Sequence, residues 1–203
     1  MQGFAQVGAH VAETAPPASP LARENERLRR ELAALRLRVD ELERVADSDP
    51  LVDIHNRRAL VREIGRAQTV SERYHIPSTV VFFDLNDFKA VNDRFGHAVG
   101  DEMLRAIGEC LKAGTRACDL VARLGGDEFA VLLFKTPMDV ARAKAEALQV
   151  RIQGCRIRMP TDTVGTDAAW GLAQCEPGVE PEAVLARADR AMYEGKLNEG
   201  KPG

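Results

Sequence analysis

Apolar residues recur along this chain with different periods, and each period marks a different kind of element. Leu21, Leu28, Leu35 and Leu42 fall on a strict seven-residue spacing, with Asn25, Leu32, Val39 and Ala46 on the alternate seam. That heptad predicts a coiled-coil helix over 20–47. With the leucines at d, Glu24 at g meets Arg29 at e of a second helix, Glu31 meets Arg36, and Arg38 meets Glu43. All three pairs are opposite in charge, and Asn25 sits at an a position, the pattern of a parallel two-stranded coil. Beyond Ala46 the period changes. Thr79-Val80-Val81-Phe82-Phe83 is a continuous apolar run that predicts a buried strand ending at Asp84. Val121–Leu124 and Phe129–Phe134 flank Gly125-Gly126 and predict a hairpin. Helical spacing predicts helices over His55–Tyr74, Met138–Ile152, Glu180–Lys196, and Asp101–Lys112, where Leu104, Ile107 and Leu111 share a face. Strands are expected around 155–159 and 168–175. The alternation reads as an α/β domain over 48–203 behind the coil, with a disordered tail over 1–19.

The candidate chemistry lies where these elements end. Asp127 and Glu128 follow two glycines whose freedom permits a tight tip and close approach of a ligand. Paired acids on such a tip suit divalent metal and phosphate chemistry, although a lone Gly-Gly-Asp-Glu string is more often a solvated hairpin. Asp84 at the mouth of a buried strand is a second acid, equally suited by itself to capping the following helix. Together the two places describe how palm-type nucleotidyl-transfer enzymes hold Mg²⁺.

The ordered set of motifs resembles the GGDEF family of diguanylate cyclases. It comprises Asp49-Pro50-Leu51 with Asn56 to Leu60, Phe83 to Lys89, Asn92-Asp93, Phe95-Gly96-His97 with Gly100-Asp101, Gly125 to Phe129, and Ala188-Asp189 with Ala191-Met192-Tyr193 and Lys196. The resemblance runs from about Asp49 to Lys196. It implies a palm-like, mainly antiparallel central sheet of β-α-β-β-α-β topology with surrounding helices. It also implies condensation of two GTP into cyclic di-GMP and two pyrophosphates. By position, Asp84, Asp127, Glu128 and the Leu85 carbonyl would hold Mg²⁺, two ions per site, with Mn²⁺ as an alternative. Asn92 and Asp101 would contact guanine, and Lys89 and Lys196 the β- and γ-phosphates, beside Gly125 and Gly126. Asp127 or Glu128 would take the hydroxyl proton, Asp127 being preferred. Arg116 and Asp119, with five residues (120–124) between Asp119 and Gly125, match the family's RxxD product-inhibition site. One domain holds one GTP, so the resemblance implies a homodimer, which the coil would supply.

Three stretches depart from the family pattern. Leu51-Val52-Asp53-Ile54 replaces Leu-Thr-Gly-Leu. The C-terminal Lys-x-x-Gly-Arg becomes Lys196 to Lys201, one residue longer, leaving Lys201 as a stand-in for the arginine. Ala169-Trp170-Gly171 stands where Ser-x-Gly is usual and is given no role. A cyclic di-GMP receptor without turnover is the alternative reading; such proteins usually lose a signature acid, and this chain keeps both. A cyclase making another dinucleotide would differ at the base contacts.

Composition narrows the rest. With 203 residues, 45% of them hydrophobic, the chain can form one ordinary domain plus the coil. A net charge of −3 gives no electrostatic footprint for nucleic acid. No run reaches the ~20 apolar residues of a membrane span, and the first residues lack a signal-peptide pattern. Four cysteines without metal spacing are expected to be reduced thiols of a cytoplasmic protein.

Overall fold

The computed structural model describes residues 19–160 and 162–199. By its internal contacts the chain forms two units, Met1–Glu43 and Arg44–Gly203. The expected disordered tail lies outside the described residues except at Ser19, and Lys201 also lies outside them.

The described residues of the first unit are Ser19 and most of helix α1, Pro20–Asp47. Ser19 caps it, its hydroxyl accepting the Ala22 N–H at 3.2 Å, and Pro20 follows at the first helical position, where no amide hydrogen is needed. The heptad residues Leu21, Leu28, Leu32, Leu35, Val39 and Leu42 are all exposed. Glu24 and Glu31 are both paired within the helix to Arg27, at 3.0 and 3.8 Å, and Arg30 pairs with Glu26.

The second unit is a palm. Its elements are β1 (His55–Asn56), α2 (Arg57–Tyr74), β2 (Thr79–Leu85), α3 (Phe88–Phe95), α4 (His97–Ala113), β3 (Leu120–Gly125), β4 (Glu128–Leu133), α5 (Met138–Gly154), β5 (Arg156–Arg158), β6 (Thr163–Gly165), β7 (Ala168–Gln174) and α6 (Pro181–Glu199). The main sheet has the order β1-β3-β4-β2-β7. β1 runs parallel to β3, and every other pairing in it is antiparallel. β5 and β6 form a separate two-stranded ribbon.

Period-two alternation explains why β2 and β4 are continuously apolar. Val81, Phe83, Leu85, Phe129, Val131 and Leu133 join one core with residues of α3, α4 and α5. Val80, Phe82, Ala130 and Leu132 join the other with residues of α2 and α6. Both faces of the sheet are therefore covered.

The structure adjusts several expected boundaries. The helix expected from His55 begins at Arg57, because His55–Asn56 pairs with Ala122–Arg123 and Asn56 caps α2 by accepting the Ala59 N–H at 3.1 Å. The helix expected from Asp101 begins at His97, which puts Asp101 in its second turn. α3 and β6 were not anticipated, being too short to show a period. The unusual Leu51 to Ile54 stretch is held by Asp49, whose carboxylate accepts the N–H groups of Leu51 and Val52, both at 2.9 Å.

Candidate active site

Two strand ends converge at one edge of the palm. Asp84, the penultimate residue of β2, lies between Glu128 of β4 and Ala169 of β7 in the sheet register. β3 and β4 are joined through Gly126 and Asp127, with a register shift between Arg123 and Gly125. Gly125 has φ 152° and Gly126 φ 50°, and a Cβ built on either would touch nothing within 4 Å. Backbone conformation, not crowding, is therefore what these positions demand of glycine. The turn leans on β2, the Leu85 N–H donating to the Asp127 carbonyl at 3.3 Å.

Arg123 braces this tip. Its Nε and Nη2 donate to the Gly126 carbonyl at 3.0 and 2.8 Å, and its Nη1 reaches Asp49 at 3.3 Å. Both side chains are largely buried, so the signature turn is tied to the residue that opens the domain. Neither Arg123 nor Asp49 was singled out for this role from sequence, although an arginine two positions before the glycines is a signal that could have been weighed.

Negative charge dominates the site. Burial pushes the Glu128 carboxyl above its ordinary range, and Asp84, Asp189 and Asp127 push it the same way, against a smaller pull from Arg57. Asp189 of α6 and Arg57 of α2 had no assigned role in the sequence reading. The cation that meets this charge is Lys196 of α6, whose ammonium is bound to Asp84 Oδ2. The acids near Glu128 offer oxygen donors only, the chemistry a hard divalent cation takes. Among the described residues no group of three His, Cys, Asp or Glu side chains is arranged to hold a metal.

The remaining predicted residues fall into two places. Lys89 is exposed in the first turn of α3. Asn92 lies against α4 because residue 100 is glycine: a Cβ there would stand 2.0 Å from Asn92 Oδ1. The Asn92 amide is thereby set beside the residue preceding Asp101. Arg116 and Asp119 line a separate cavity of about 330 Å³ with Lys112, Asp53 and His55. The Asp119 carboxylate there accepts the Arg116 and Phe134 N–H groups at 3.0 and 3.2 Å, while the Arg116 side chain is exposed.

A mainly antiparallel palm whose central strand and adjoining turn present acids defines the class of this domain. The chain belongs to the GGDEF family, described as "Diguanylate cyclase, GGDEF domain", which matches residues 46–202. It is 34% identical over 151 residues to the diguanylate cyclase DgcP of Pseudomonas aeruginosa, covering 73% of this chain and 22% of that protein. It is 32% identical over 172 residues to the response regulator PleD of Caulobacter vibrioides, covering 81% of this chain and 37% of that protein. The chain thus spans well under half the length of these curated relatives. The crystal structure of diguanylate cyclase SiaD with its activator SiaC, from Pseudomonas aeruginosa, aligns with a TM-score of 0.76 and 28% identity, over 88% of this chain and 67% of that one. The coiled coil and GGDEF domain of DgcB from Caulobacter crescentus, in complex with c-di-GMP, aligns with a TM-score of 0.75 over 89% of this chain and 96% of that one. At 24% identity the second likeness speaks to the fold alone.

Proposed function

We propose that this chain is a diguanylate cyclase that joins two GTP into cyclic di-GMP with release of two pyrophosphates. The observation that carries the reading is the meeting of Asp84, the Asp127–Glu128 turn and Lys196 at one edge of the palm. Asp84, Asp127, Glu128 and the Leu85 carbonyl would hold Mg²⁺, two ions per site, with Mn²⁺ as a substitute. A cation held there would supply charge neutralisation for the phosphoryl oxygens and the leaving pyrophosphate. Lys196 and Lys89 act as point charges on the β- and γ-phosphates, which requires Lys196 to exchange Asp84 for substrate. Asn92 and Asp101 accept and donate at the guanine edge, a carboxylate matching the N1–H and exocyclic amine that adenine does not present together. Asp127 takes the proton of the attacking 3′-hydroxyl, directly or through water. Gly125 and Gly126 keep the tip narrow enough for triphosphate to lie against the main chain.

Two domains must face each other, since each holds one substrate. The exposed leucine seam of α1 pairs with the same seam of a second copy in a parallel coil, raising the effective concentration of one site at the other. Cyclic di-GMP binds back at the Arg116–Asp119 cavity and inhibits. Among the described residues no helix is long and apolar enough to cross a membrane. GTP as substrate and reduced thiols are what the reading expects of a cytoplasmic protein.

Incubation with GTP and Mg²⁺ tests the enzyme reading: cyclic di-GMP should form, and Asp127→Ala should abolish it. Absence of product from the dimeric wild-type chain would leave a receptor for cyclic di-GMP instead. ATP in place of GTP should give no product. Inserting two or three residues after Ala46 should change turnover strongly and leave the dimer intact.

A further inference from the structure

The chain turns a corner between β2, which ends at Leu85, and α3, which begins at Phe88. Asp87 takes up the turn in the left-handed region, φ 56°, and its side chain makes no cap bond. That conformation is unfavourable for a residue with a Cβ, so the corner must be held by its surroundings. The surroundings hold it at Asn86, through both of its main-chain groups. The Asn86 N–H donates to the Asp167 carbonyl at 2.8 Å, and the Asn86 carbonyl accepts the Thr166 hydroxyl at 2.7 Å.

Peptide planarity turns this clamp into control of the preceding residue. The Leu85 carbonyl and the Asn86 N–H belong to one planar unit and point in opposite directions. With Asn86 N–H fixed on the β7 side, the Leu85 carbonyl is turned to the β4 side. The Leu85 N–H already points there, donating to the Asp127 carbonyl at 3.3 Å. A strand residue's N–H and C=O face the same neighbour, so the two observations agree. Asp167 is itself anchored. Its Oδ1 accepts the Ala168 N–H at 2.6 Å and Gln149 Nε2 at 3.3 Å. Gln149 in turn donates to the Ala168 carbonyl at 2.9 Å and accepts from Trp170 Nε1 at 3.0 Å.

We propose that Thr166 is a positioning residue that aims the Leu85 carbonyl at the cation site by clamping the main chain of Asn86, with Trp170 supporting it through Gln149 and Asp167. The inference rests on the reading that Asp84 and Leu85 hold a divalent cation. The same hydroxyl lies 3.1 Å from the Asp167 carbonyl that receives the Asn86 N–H, so it ties that acceptor to the Asn86 carbonyl. Without it the peptide following Asn86 loses its hold, the left-handed corner relaxes, and the Asn86 N–H shifts on its acceptor, carrying the Leu85 oxygen with it. Groups that orient metal ligands in this way typically matter ~10–100-fold in metal affinity.

Mn²⁺ affinity of the full chain, measured by electron paramagnetic resonance with a non-reactive α,β-methylene GTP, provides the test. Thr166→Val keeps the shape and removes the donor. It should weaken Mn²⁺ binding about 10-fold and raise the half-saturating metal concentration for turnover by a similar factor. The KM for GTP at saturating metal should not move. Thr166→Ser should restore wild-type affinity. Trp170→Phe, which removes only the indole donor, should shift affinity in the same direction by about 3-fold, and serves if the valine variant does not fold. Wild-type Mn²⁺ affinity in Thr166→Val, or equal impairment of the valine and serine variants, overturns the inference. Asp84→Asn separates the two levels: wild-type Mn²⁺ affinity in that variant would sink the cation reading itself, whatever Thr166 does.

Discussion

Two charge clusters in the palm unit are built on opposite principles. At the end of α1, Asp47 is buried and outnumbered by its partners, with Arg62 at 3.0 and 2.7 Å and Arg58 at 3.1 Å. The Arg62 bonds hold its carboxyl down to about 2, prevailing over the opposing effect of burial. At the end of β2 the balance is reversed. Burial and three neighbouring acids raise Glu128, and Lys196 meets only Asp84. The first cluster satisfies itself within the chain, as a structural ion pair does. The second keeps an excess of negative charge that a packed core would have eliminated, and such excess marks a site completed by a ligand. Arg123 links a matched pair with Asp49 to the tip of the unmatched cluster.

The comparison can be broken at several points. The largest effect is expected for Asp84→Asn, which should lower cyclic di-GMP formation about 10³-fold while leaving the melting temperature level or raised. A loss of folding instead would show that Asp84 serves structure. Arg123→Ala should cost about 10²-fold in turnover, because the tip loses its brace, together with several degrees in melting temperature. Arg123→Lys should fall between, since an ammonium cannot bond Gly126 and Asp49 as one rigid fork.

Asp47→Asn should destabilise folding by about 1 kcal/mol at neutral pH, the value being modest because both arginines are solvent-screened. The carboxyl is depressed, so its contribution is present above its ordinary value of 3.8 and disappears as pH falls through about 2. Denaturant curves for wild type and variant should therefore converge across that interval. Glu128→Gln is the smallest and has the opposite sign. A raised carboxyl favours the folded state below its unfolded pKa and loses that advantage as pH rises through its folded one. The variant should melt slightly higher than wild type at pH 7, with the difference gone in acid; added Mg²⁺ should narrow the gap at pH 7.

The parts of the candidate site were legible as motifs because each is local. The apolar run closing on Asp84, and the two glycines before Asp127, announce their conformations through immediate neighbours. The nearby Gly100 was legible as a motif residue, but its purpose was not: it makes room for Asn92, which arrives from another helix. Likewise Trp170, given no role from sequence, donates to Gln149 of α5, a partner that no local pattern announces.

By itself, then, the order of residues determined the period of each element, the turn at the glycines, the heptad seam and the identity of the acids. These depend on spacing and on backbone preferences of a few adjacent residues. Tertiary structure decided which charged and polar groups meet. Arg123 meets Asp49 across 74 positions, Lys196 meets Asp84 across 112, and Thr166 meets Asn86 across 80. Such meetings follow from strand order and from which helix covers which face, and no local period encodes either.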